Sequence, residues 1–295
     1  MLLTERLQLG TELSSAQRSV VTFMLENVER LPNLTTREIA DEVHTSPATL
    51  IRLAKNLGFD GFAPLKAEYL EEQRYLQRHV DSVDPNTPFK RGDRAATIAQ
   101  NMAALHRGAI DDTLALLTRG TQLNEAISLL AKAHTIFVVA TSMPLLAAQW
   151  FQLNMMRIGR RVTVTPISGE QLFAAGLAQQ GDCVIVASYS GETPDTVAAA
   201  RLYRKLGLPI VSITSIGSNT VRDLADISLS ITSREKLYSK IAGFAGQEAF
   251  HLVFDVLYAG IFGADYDRNY AMRIRLSRQA EPGRYSTSQQ IGENL

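Results

Sequence analysis

The sequence is poor in several features that would place it in a specialised class of protein. It has one cysteine in 295 residues, which excludes an intramolecular disulfide framework and a cysteine-rich zinc site. Its 30 basic and 30 acidic side chains cancel, so no bulk charge holds the chain to nucleic acid or to an anionic membrane. No apolar run approaches the roughly 18 residues of a membrane span, and the first residues lack a signal-peptide pattern. We therefore expect a cytoplasmic protein without a membrane partner.

Metal-binding and cofactor motifs are also missing. The five histidines have no ligand-like spacing, so we expect no metal site and no cofactor. Cys183 lies in an apolar run and is predicted to be a core residue. Trp150 and the pair Met155-Met156 are likewise predicted to be core residues, on a helix that crosses over a sheet.

What is present indicates a folded protein of two domains. The chain is 45% hydrophobic and 20% charged, which is ordinary globular usage, and its length suits two domains. A stretch with two prolines, a glycine and several turn formers separates two regions of different pattern. The predicted divisions are a helical domain at 1–79, a linker at 80–94, an α/β domain at 95–264 and a polar tail at 265–295.

The larger domain alternates short apolar runs with helical patterns. The runs are rich in valine and isoleucine and are bounded by Gly, Ser, Asp or Pro, which predicts βαβ units and a five-stranded parallel sheet covered by helices on both faces. The predicted strands are Thr135–Ala140, Arg161–Thr165, Cys183–Ser188, Ile210–Thr214 and Ile227–Ile231.

The smaller domain contains two short helical patterns joined by a turn. Thr35 and Glu38 form a capping box that opens the first helix. Ser46 is a good N-cap and Pro47 suits the first position of the second helix, which ends at Gly58. Ala40 is small enough to let the helices cross closely, so the pattern predicts a helix-turn-helix arrangement.

The second of these helices has an apolar face and an outward face. Arginine can bond a guanine edge, and lysine and helix N-terminal amides suit phosphate, so the outward face is a candidate surface for double-stranded DNA. A plain helical subdomain with a solvated face, or a module that binds another protein, are the alternatives. Residues 1–79 carry 9 basic and 11 acidic side chains, but Arg52, Lys55 and Lys66 against Asp60 leave a local basic face. The candidate DNA-binding residues are Ser46, Pro47, Ala48, Thr49, Arg52 and Lys55.

This segment resembles the N-terminal domain of the RpiR/MurR-type bacterial transcription regulators. The match is carried by the string Thr45-Ser46-Pro47-Ala48-Thr49-Leu50-Ile51-Arg52-Leu53-Ala54-Lys55-Asn56-Leu57-Gly58-Phe59-Asp60-Gly61-Phe62, followed by Leu65-Lys66. The resemblance implies a DNA-binding helix-turn-helix.

A second motif follows the predicted third strand, where Ser188-Tyr189-Ser190-Gly191-Glu192-Thr193 leads into a helix that opens with Pro194. Hydroxyls and a glycine between a strand end and a helix N-terminus make a good anion site. Thr193 could alternatively serve only as the N-cap of that helix.

The motif resembles the Ser-x-Ser-Gly-x-Thr loop of the sugar-isomerase (SIS) domain, and the likeness covers roughly residues 95 to 262. It implies that Ser188, Ser190, Gly191 and Thr193 bind the phosphate of a phosphosugar-like effector. The family's usual Gly-x-Gly-x-Ser after the first strand is replaced by Ala140, Ser142 and Pro144. Because alanine and serine do not reach positive φ cheaply, we expect an altered first loop in which Ser142 supplies a hydroxyl. The effector is then an unusual phosphosugar, another anion, or a weakly bound ligand.

The rival reading is a phosphosugar isomerase or lyase on the same domain. Such chemistry needs a general base, and the candidates are Glu170, Glu192, Glu248 and His251, each better explained by capping or solvent exposure. We therefore predict no catalytic residues and a transcriptional regulator of a carbohydrate or amino-sugar operon. The expected partners are operator DNA, the effector, and further copies of the chain in a dimer or tetramer.

Overall fold

The computed structural model describes residues 3–9, 13–77, 83–167, 169–232 and 234–283. The described residues form two compact units. The first runs to residue 83 and takes in 216–218, and the second comprises the remaining residues from 84 onward. The first unit is all helical and the second is α/β, which confirms the predicted fold class. Within the described residues, no helix has both the length and the apolar character needed to cross a bilayer.

Two helices of the first unit begin at capping boxes, whereas Ser46, the predicted cap of a third, makes no capping hydrogen bond with its side chain. Ser14 Oγ accepts from the N–H of Gln17 at 3.3 Å, and the Gln17 side chain accepts from the N–H of Ser14 at 3.0 Å. Thr35 and Glu38 make the same reciprocal pair. Such boxes satisfy N–H groups that have no partner inside the helix. The elements are α1 (Leu3–Leu9), α2 (Ser15–Glu26), a 3-10 turn (Leu31–Asn33), α3 (Thr36–Glu42), α4 (Pro47–Asn56) and α5 (Phe62–Gln77).

The second unit is a parallel sheet between two helical layers. Its strands run in the order β2-β1-β3-β4-β5. The strands are β1 (Thr135–Ala140), β2 (Arg161–Val164), β3 (Cys183–Ala187), β4 (Ile210–Ser215) and β5 (Ile227–Ile231). The helices are α6 (Ala95–Leu117), α7 (Gln122–Lys132), α8 (Met143–Met156), α9 (Glu170–Ala175), α10 (Pro194–Lys205), α11 (Thr220–Leu224), α12 (Phe244–Ala264) and α13 (Tyr266–Ala280).

Alternate strand residues are buried on opposite faces of the sheet. On one face, Val138 joins the core that contains Phe151 of α8 and Phe254 of α12, whose rings are 5.4 Å apart. On the other face, Phe137 packs 5.8 Å from Tyr203 of α10. Helices therefore cover both faces, which is why the strands appear in the sequence as continuous apolar runs.

Two aspartates fix the strand starts. Asp182 Oδ1, just before β3, accepts from the N–H of Thr135 at 3.0 Å, and Asp226 Oδ2 accepts from the N–H of Ile210 at 2.8 Å. These bonds set neighbouring strands level at their amino ends. At the carboxyl ends Ala140 and Ala187 are then register partners, so the loops after β1 and β3 leave the sheet side by side.

The prediction of a linker at 80–94 is wrong for its second half. Asn86 is buried, and its side chain accepts from the N–H of Lys236 at 2.7 Å and donates to the carbonyl of Arg234 at 3.3 Å. Its carbonyl accepts from the N–H of Ile241 at 2.9 Å. Turn-forming residues here build an ordered extension of the second unit, whereas residues 80–82 lie outside the described residues.

The prediction of a polar tail at 265–295 is also wrong in part, because α13 occupies Tyr266–Ala280. Its polar sequence conceals the anchor: Asn269 is buried and donates to the carbonyls of Phe262 at 3.1 Å and Ile261 at 3.4 Å, at the end of α12. Because α13 is held by the side-chain amide of Asn269, its sequence has no periodic pattern of apolar residues that would predict a packed helix. Residues 284–295 lie outside the described residues.

The prediction of core residues on α8 and in β3 is confirmed only in part. Met155 and Cys183 are fully buried, as expected. Trp150 and Met156 are not core residues, since 45% and 58% of their surfaces are exposed. The helix α8 is apolar nearly all round, so composition alone does not tell its inner face from its outer one.

Candidate functional site

The first candidate site is the pair α3 and α4 with the turn between them. Ala40 is fully buried, and its carbonyl accepts from the N–H of Thr45 at 2.8 Å. This bond closes the end of α3 through His44, which has φ of +52°. A residue in the left-handed region at this position reverses the chain, so α4 starts at once and crosses α3.

His44 occupies a position that glycine fills at lower cost. We expect His44→Gly to raise the free energy of unfolding of the first unit by up to about 1 kcal/mol. A residue with a side chain pays about 1–2 kcal/mol for positive φ, which glycine avoids. Glycine loses more backbone entropy on folding, and this loss offsets part of the gain. Urea unfolding followed by circular dichroism measures this change. The fluorescence of Trp150, the single tryptophan, reports the second unit and should not move. A less stable His44→Gly protein would mean that the imidazole makes stabilising contacts.

The exposed face of α4 carries the predicted DNA-contacting side chains. Leu50, Leu53 and Ala54 are fully buried, and Arg52 and Lys55 are exposed on the opposite side of the helix. Ser46, Pro47 and Ala48 at the start of α4 are exposed too, as predicted.

Thr49 does not face outward, contrary to the sequence prediction. It is buried, and its hydroxyl lies 3.1 Å from both the Thr45 and Ser46 hydroxyls. Arg52 Nη2 donates to the same hydroxyl at 3.4 Å. Thr49 therefore bonds the guanidinium of Arg52 and the start of α4. The candidate interface has one exposed polar side chain fewer than predicted.

Lys66 is also removed from the predicted basic face. Its ammonium donates to the carbonyls of Leu34 at 2.7 Å and Leu31 at 3.2 Å, and so closes the 3-10 turn. Arg52 and Lys55 are left as the basic side chains of the exposed face of α4 among the residues the structure describes.

The second candidate site is the loop between β3 and α10. The hydroxyls of Ser188 and Thr193 lie 3.0 Å apart, and Ser188 Oγ accepts from the N–H of Gly191 at 3.1 Å. Ser190 Oγ accepts from the N–H of Glu192 at 3.1 Å. Thr193 is the N-cap residue by position, but its hydroxyl makes no capping bond to α10. Three hydroxyls and the first-turn N–H groups of a helix thus converge on one strand end.

Gly191 is required by both its backbone and its neighbour. Its φ is +68°, and a Cβ atom there would lie 1.9 Å from Asn219 Oδ1. Asn219 itself accepts from the N–H of Arg222 at 2.9 Å and donates to Thr214 Oγ1 at 3.0 Å. The loop is therefore locked against the carboxyl end of β4 and the start of α11.

The loop after β1 keeps a positive φ without glycine. Ser142 has φ of +57° and ψ of −129°, is exposed, and stands at the N-cap of α8. Positive φ is costly for serine, and a strained conformation of this kind is typical of ligand-binding loops. Gln171 of α9 supports the loop, since its Nε2 donates to the carbonyls of Ala140 at 2.8 Å and Thr165 at 3.2 Å.

A polar cluster beside the loop is missing from the sequence predictions. The Tyr189 hydroxyl bonds the backbone of Glu235, whose carboxylate accepts from the N–H of Ala245 at the start of α12. Lys240 Nζ lies 3.5 Å from that carboxylate and 5.0 Å from the centre of the Tyr189 ring. The segment 232–243 has neither a helical nor a strand period, so no sequence signal places these residues beside Tyr189.

Comparison with known proteins assigns both parts of the chain. Residues 1–74 match the family model of the rpiR-family helix-turn-helix domain. Residues 129–258 match the model of the SIS domain. The two matches cover the two candidate sites.

Individual relatives resemble the whole chain or its second part. The chain is 27% identical over 251 residues to an uncharacterized HTH-type transcriptional regulator of Caldanaerobacter subterraneus, covering 85% of this chain and 86% of that one. The fold of this chain is similar to that of Vibrio vulnificus NanR complexed with ManNAc-6P. The TM-score is 0.60 at 22% identity, over 96% of this chain and 100% of the NanR chain. The sugar isomerase domain of an RpiR transcription factor from Sphaerobacter thermophilus matches with a TM-score of 0.54 at 20% identity, over 61% of this chain and 98% of that one.

Proposed function

We propose that the chain is an RpiR-type transcriptional regulator and that a phosphorylated sugar bound by its SIS domain sets its affinity for operator DNA. The proposed effector residues are Ser142, Ser188, Ser190, Gly191 and Thr193. The proposed operon is one of carbohydrate or amino-sugar metabolism.

The observation that carries this proposal is the hydroxyl-lined loop at the carboxyl end of β3. Ser188 and Thr193 are already hydrogen bonded to each other, so their oxygens are held in place before a ligand arrives. The α10 N-terminus behind them favours negative charge, and β1 and β3 flank the point where the strand order of the sheet reverses. A phosphate suits such a place better than a neutral sugar ring does.

Lys240 supplies the positive charge that hydroxyls lack. Its side chain is 14% exposed and is held over Tyr189, the residue between the two loop serines. Its partner Glu235 also caps α12, so the carboxylate has another donor when the ammonium turns to a ligand. We assign Lys240 the role of neutralising the bound phosphate.

The class of sugar follows from a structural relative. Vibrio vulnificus NanR has a similar fold, and its structure is of a complex with ManNAc-6P, a phosphorylated amino sugar. An effector of the same chemical class is therefore our first choice for this chain.

The DNA-binding side of the proposal rests on α4. One exposed arginine and one exposed lysine per helix are few contacts, so two copies of the chain acting together are needed. Paired α4 helices would enter successive major grooves about 34 Å apart, or a multiple of that distance. The effector changes DNA affinity only if it binds one arrangement of the paired copies better than another.

An isomerase or lyase is the competing function, and the contacts of two of its four candidate bases, Glu192 and Glu248, argue against it. Both carboxylate oxygens of Glu192 accept from Thr220, from its N–H at 2.7 Å and its hydroxyl at 2.8 Å. Glu248 is paired with His106 at 3.1 Å. Capping and pairing occupy these carboxylates, so we propose that the domain binds its ligand without converting it.

A thermal-shift panel of sugar phosphates tests the effector proposal. At a concentration of about 100 Kd, a ligand adds about 2.7 kcal/mol of stability, which raises Tm by several degrees. We expect ManNAc-6P or a related sugar phosphate to give this shift and the unphosphorylated sugars to give none. A panel without any shift contradicts the proposal.

Ser190→Ala is the variant that ties the shift to the loop. Ser190 is partly buried and bonds one loop N–H, so its loss should cost little folding stability while lowering ligand affinity about tenfold, as expected for one lost bond to a charged group. Ser128→Ala, on the exposed side of α7, is the matched control and should respond as the unaltered protein does. An unchanged response in Ser190→Ala would place the ligand elsewhere.

A further inference from the structure

The outer face of α8 is unusually apolar. Leu146, Trp150, Leu153 and Met156 are each between 45% and 58% exposed, at a spacing that places them on one side of the helix. The Trp150 indole N–H donates to Asp255 Oδ1 at 3.2 Å, so its polar atom is satisfied and its ring adds to the apolar surface. A stripe of this kind has no use in the core of its own chain.

The stripe continues across a groove to α9. A groove of about 710 Å³ is lined by Leu153 and Met156 on one side, Leu177 on the other, and β2 at its base. Leu177 is 73% exposed, and Phe173, one turn earlier, is 75% exposed. Among the described residues β2 pairs only with β1, so its other edge is open beside this groove. Together these residues form one surface, called here the α8–α9 face: Leu146, Trp150, Leu153, Met156, Phe173 and Leu177.

We propose that the α8–α9 face is the surface through which two copies of this chain associate. With aromatic side chains of 150–250 Å² and aliphatic ones of similar size, the exposed fractions leave on the order of 700 Å² of accessible area. A standard interface covers about 800 Å² per partner, and monomeric proteins rarely expose so much continuous apolar surface. The exposed apolar area is therefore close to what each copy contributes to an interface between two copies of the chain.

Charge around the face also favours a second copy. Arg157 and Arg161 lie at the end of α8 and the start of β2, and Glu170 opens α9, so both signs border the apolar surface. A two-fold axis that sets the basic edge of one copy against the acidic edge of the other makes this pairing twice. The chain has a formal net charge of zero, so no general repulsion opposes pairing. This inference rests on the self-association in the proposed function and names the surface that carries it.

Position-specific cross-linking tests the surface in the full chain. Cys183 is the single cysteine, it is buried in β3, and burial raises its thiol pKa to about 12, so the unaltered chain should not react with a bis-maleimide. Leu153→Cys should be cross-linked to twice the monomer mass in most chains. Leu206→Cys, at 43% exposure after α10, is matched to Leu153 at 45% and should stay monomeric under the same conditions.

Light scattering separates failure of the surface from failure of self-association. We expect the unaltered chain to be a dimer or larger, Leu153→Asp to raise the dimer Kd at least tenfold, and Leu206→Asp to leave it unchanged. A monomeric unaltered chain overturns both proposals. If the unaltered chain is an oligomer but Leu153→Cys is not cross-linked, the α8–α9 face is not the interface, although self-association stands. The same conclusion follows if Leu153→Asp and Leu206→Asp raise the dimer Kd equally. Circular dichroism checks that each variant is folded.

Discussion

Gly191→Ala is expected to destabilise the second unit by about 2–5 kcal/mol and to abolish the response to a sugar phosphate. Left-handed backbone costs an alanine about 1–2 kcal/mol. The new methyl group would also overlap the Asn219 side chain, where the nearest atom is 1.9 Å away, and displacing a packed, hydrogen-bonded neighbour adds about 1–3 kcal/mol. Urea unfolding followed by Trp150 fluorescence measures the loss.

Gly207→Ala separates the two causes. Gly207 also has a positive φ, +74°, but nothing lies within 4 Å of a Cβ built there. Its substitution should cost only the conformational part, about 1–2 kcal/mol. A loss in Gly191→Ala no larger than that in Gly207→Ala would mean that Asn219 moves freely and that the loop is not locked.

A double variant gives a further check. Asn219→Gly removes the side-chain atoms that the new methyl group would meet, including the Cβ atom at 2.6 Å, at the cost of the bonds to Arg222 and Thr214. Gly191→Ala with Asn219→Gly should therefore be more stable than the sum of the two single effects predicts, by about 1 kcal/mol or more. Strict additivity contradicts the proposed clash.

Much of this fold could be predicted from the sequence, because its strands are buried on both faces. A run such as Cys183–Ala187 is apolar at every position, and Asp182 and Ser188 mark its two ends. Gly58 and Gly191, both at positive φ, mark the end of α4 and the centre of the loop after β3. Continuous apolar runs and obligatory glycines are local signals, so they need no knowledge of distant contacts.

What could not be predicted depends on contacts between distant residues. Thr49 and Lys66 look like exposed polar side chains, but one bonds hydroxyls of the preceding turn and the other closes a 3-10 turn more than 30 positions away. Lys240 reaches Tyr189 through a segment without any period. Polar groups satisfied by tertiary hydrogen bonds have the same composition as solvated ones, and only coordinates tell them apart.

Exposure of Trp150 and Met156 reflects a related difficulty. A helix that is apolar on all sides is buried in one chain or covered by another, and the sequence of a single copy describes both cases equally well. The composition of α8 therefore predicted core where the structure has surface.

Arg52→Ala is expected to lose about 1–3 kcal/mol of operator affinity, which is roughly 5- to 150-fold in Kd, with the loss confined to operators that carry the preferred base pair at one position. Arg52 is exposed on α4, and its guanidinium bonds the buried Thr49 hydroxyl, so its direction is set before DNA binds. A preorganised bidentate donor suits a guanine edge. Titrations with operator variants at fixed salt concentration measure the effect.

Lys55→Ala should behave differently, because an ammonium on a flexible stem suits phosphate rather than a base edge. It should weaken all sequences about equally and lower the salt slope by about 1. Arg18→Ala is the matched control, because Arg18 is an exposed arginine of α2 that donates to the Leu13 carbonyl. It should change neither the DNA affinity nor the salt slope.

The charge balance of the first unit makes this distinction measurable. With 9 basic and 11 acidic side chains in residues 1–79, and Lys66 occupied by backbone carbonyls, little general attraction to DNA remains to hide the loss of a single base contact. Affinity must then come from a few contacts doubled by a second copy of the chain. If Arg52→Ala binds every operator as the unaltered chain does, or if the unaltered chain fails to bind DNA at low salt, the α4 face is a protein-binding surface instead.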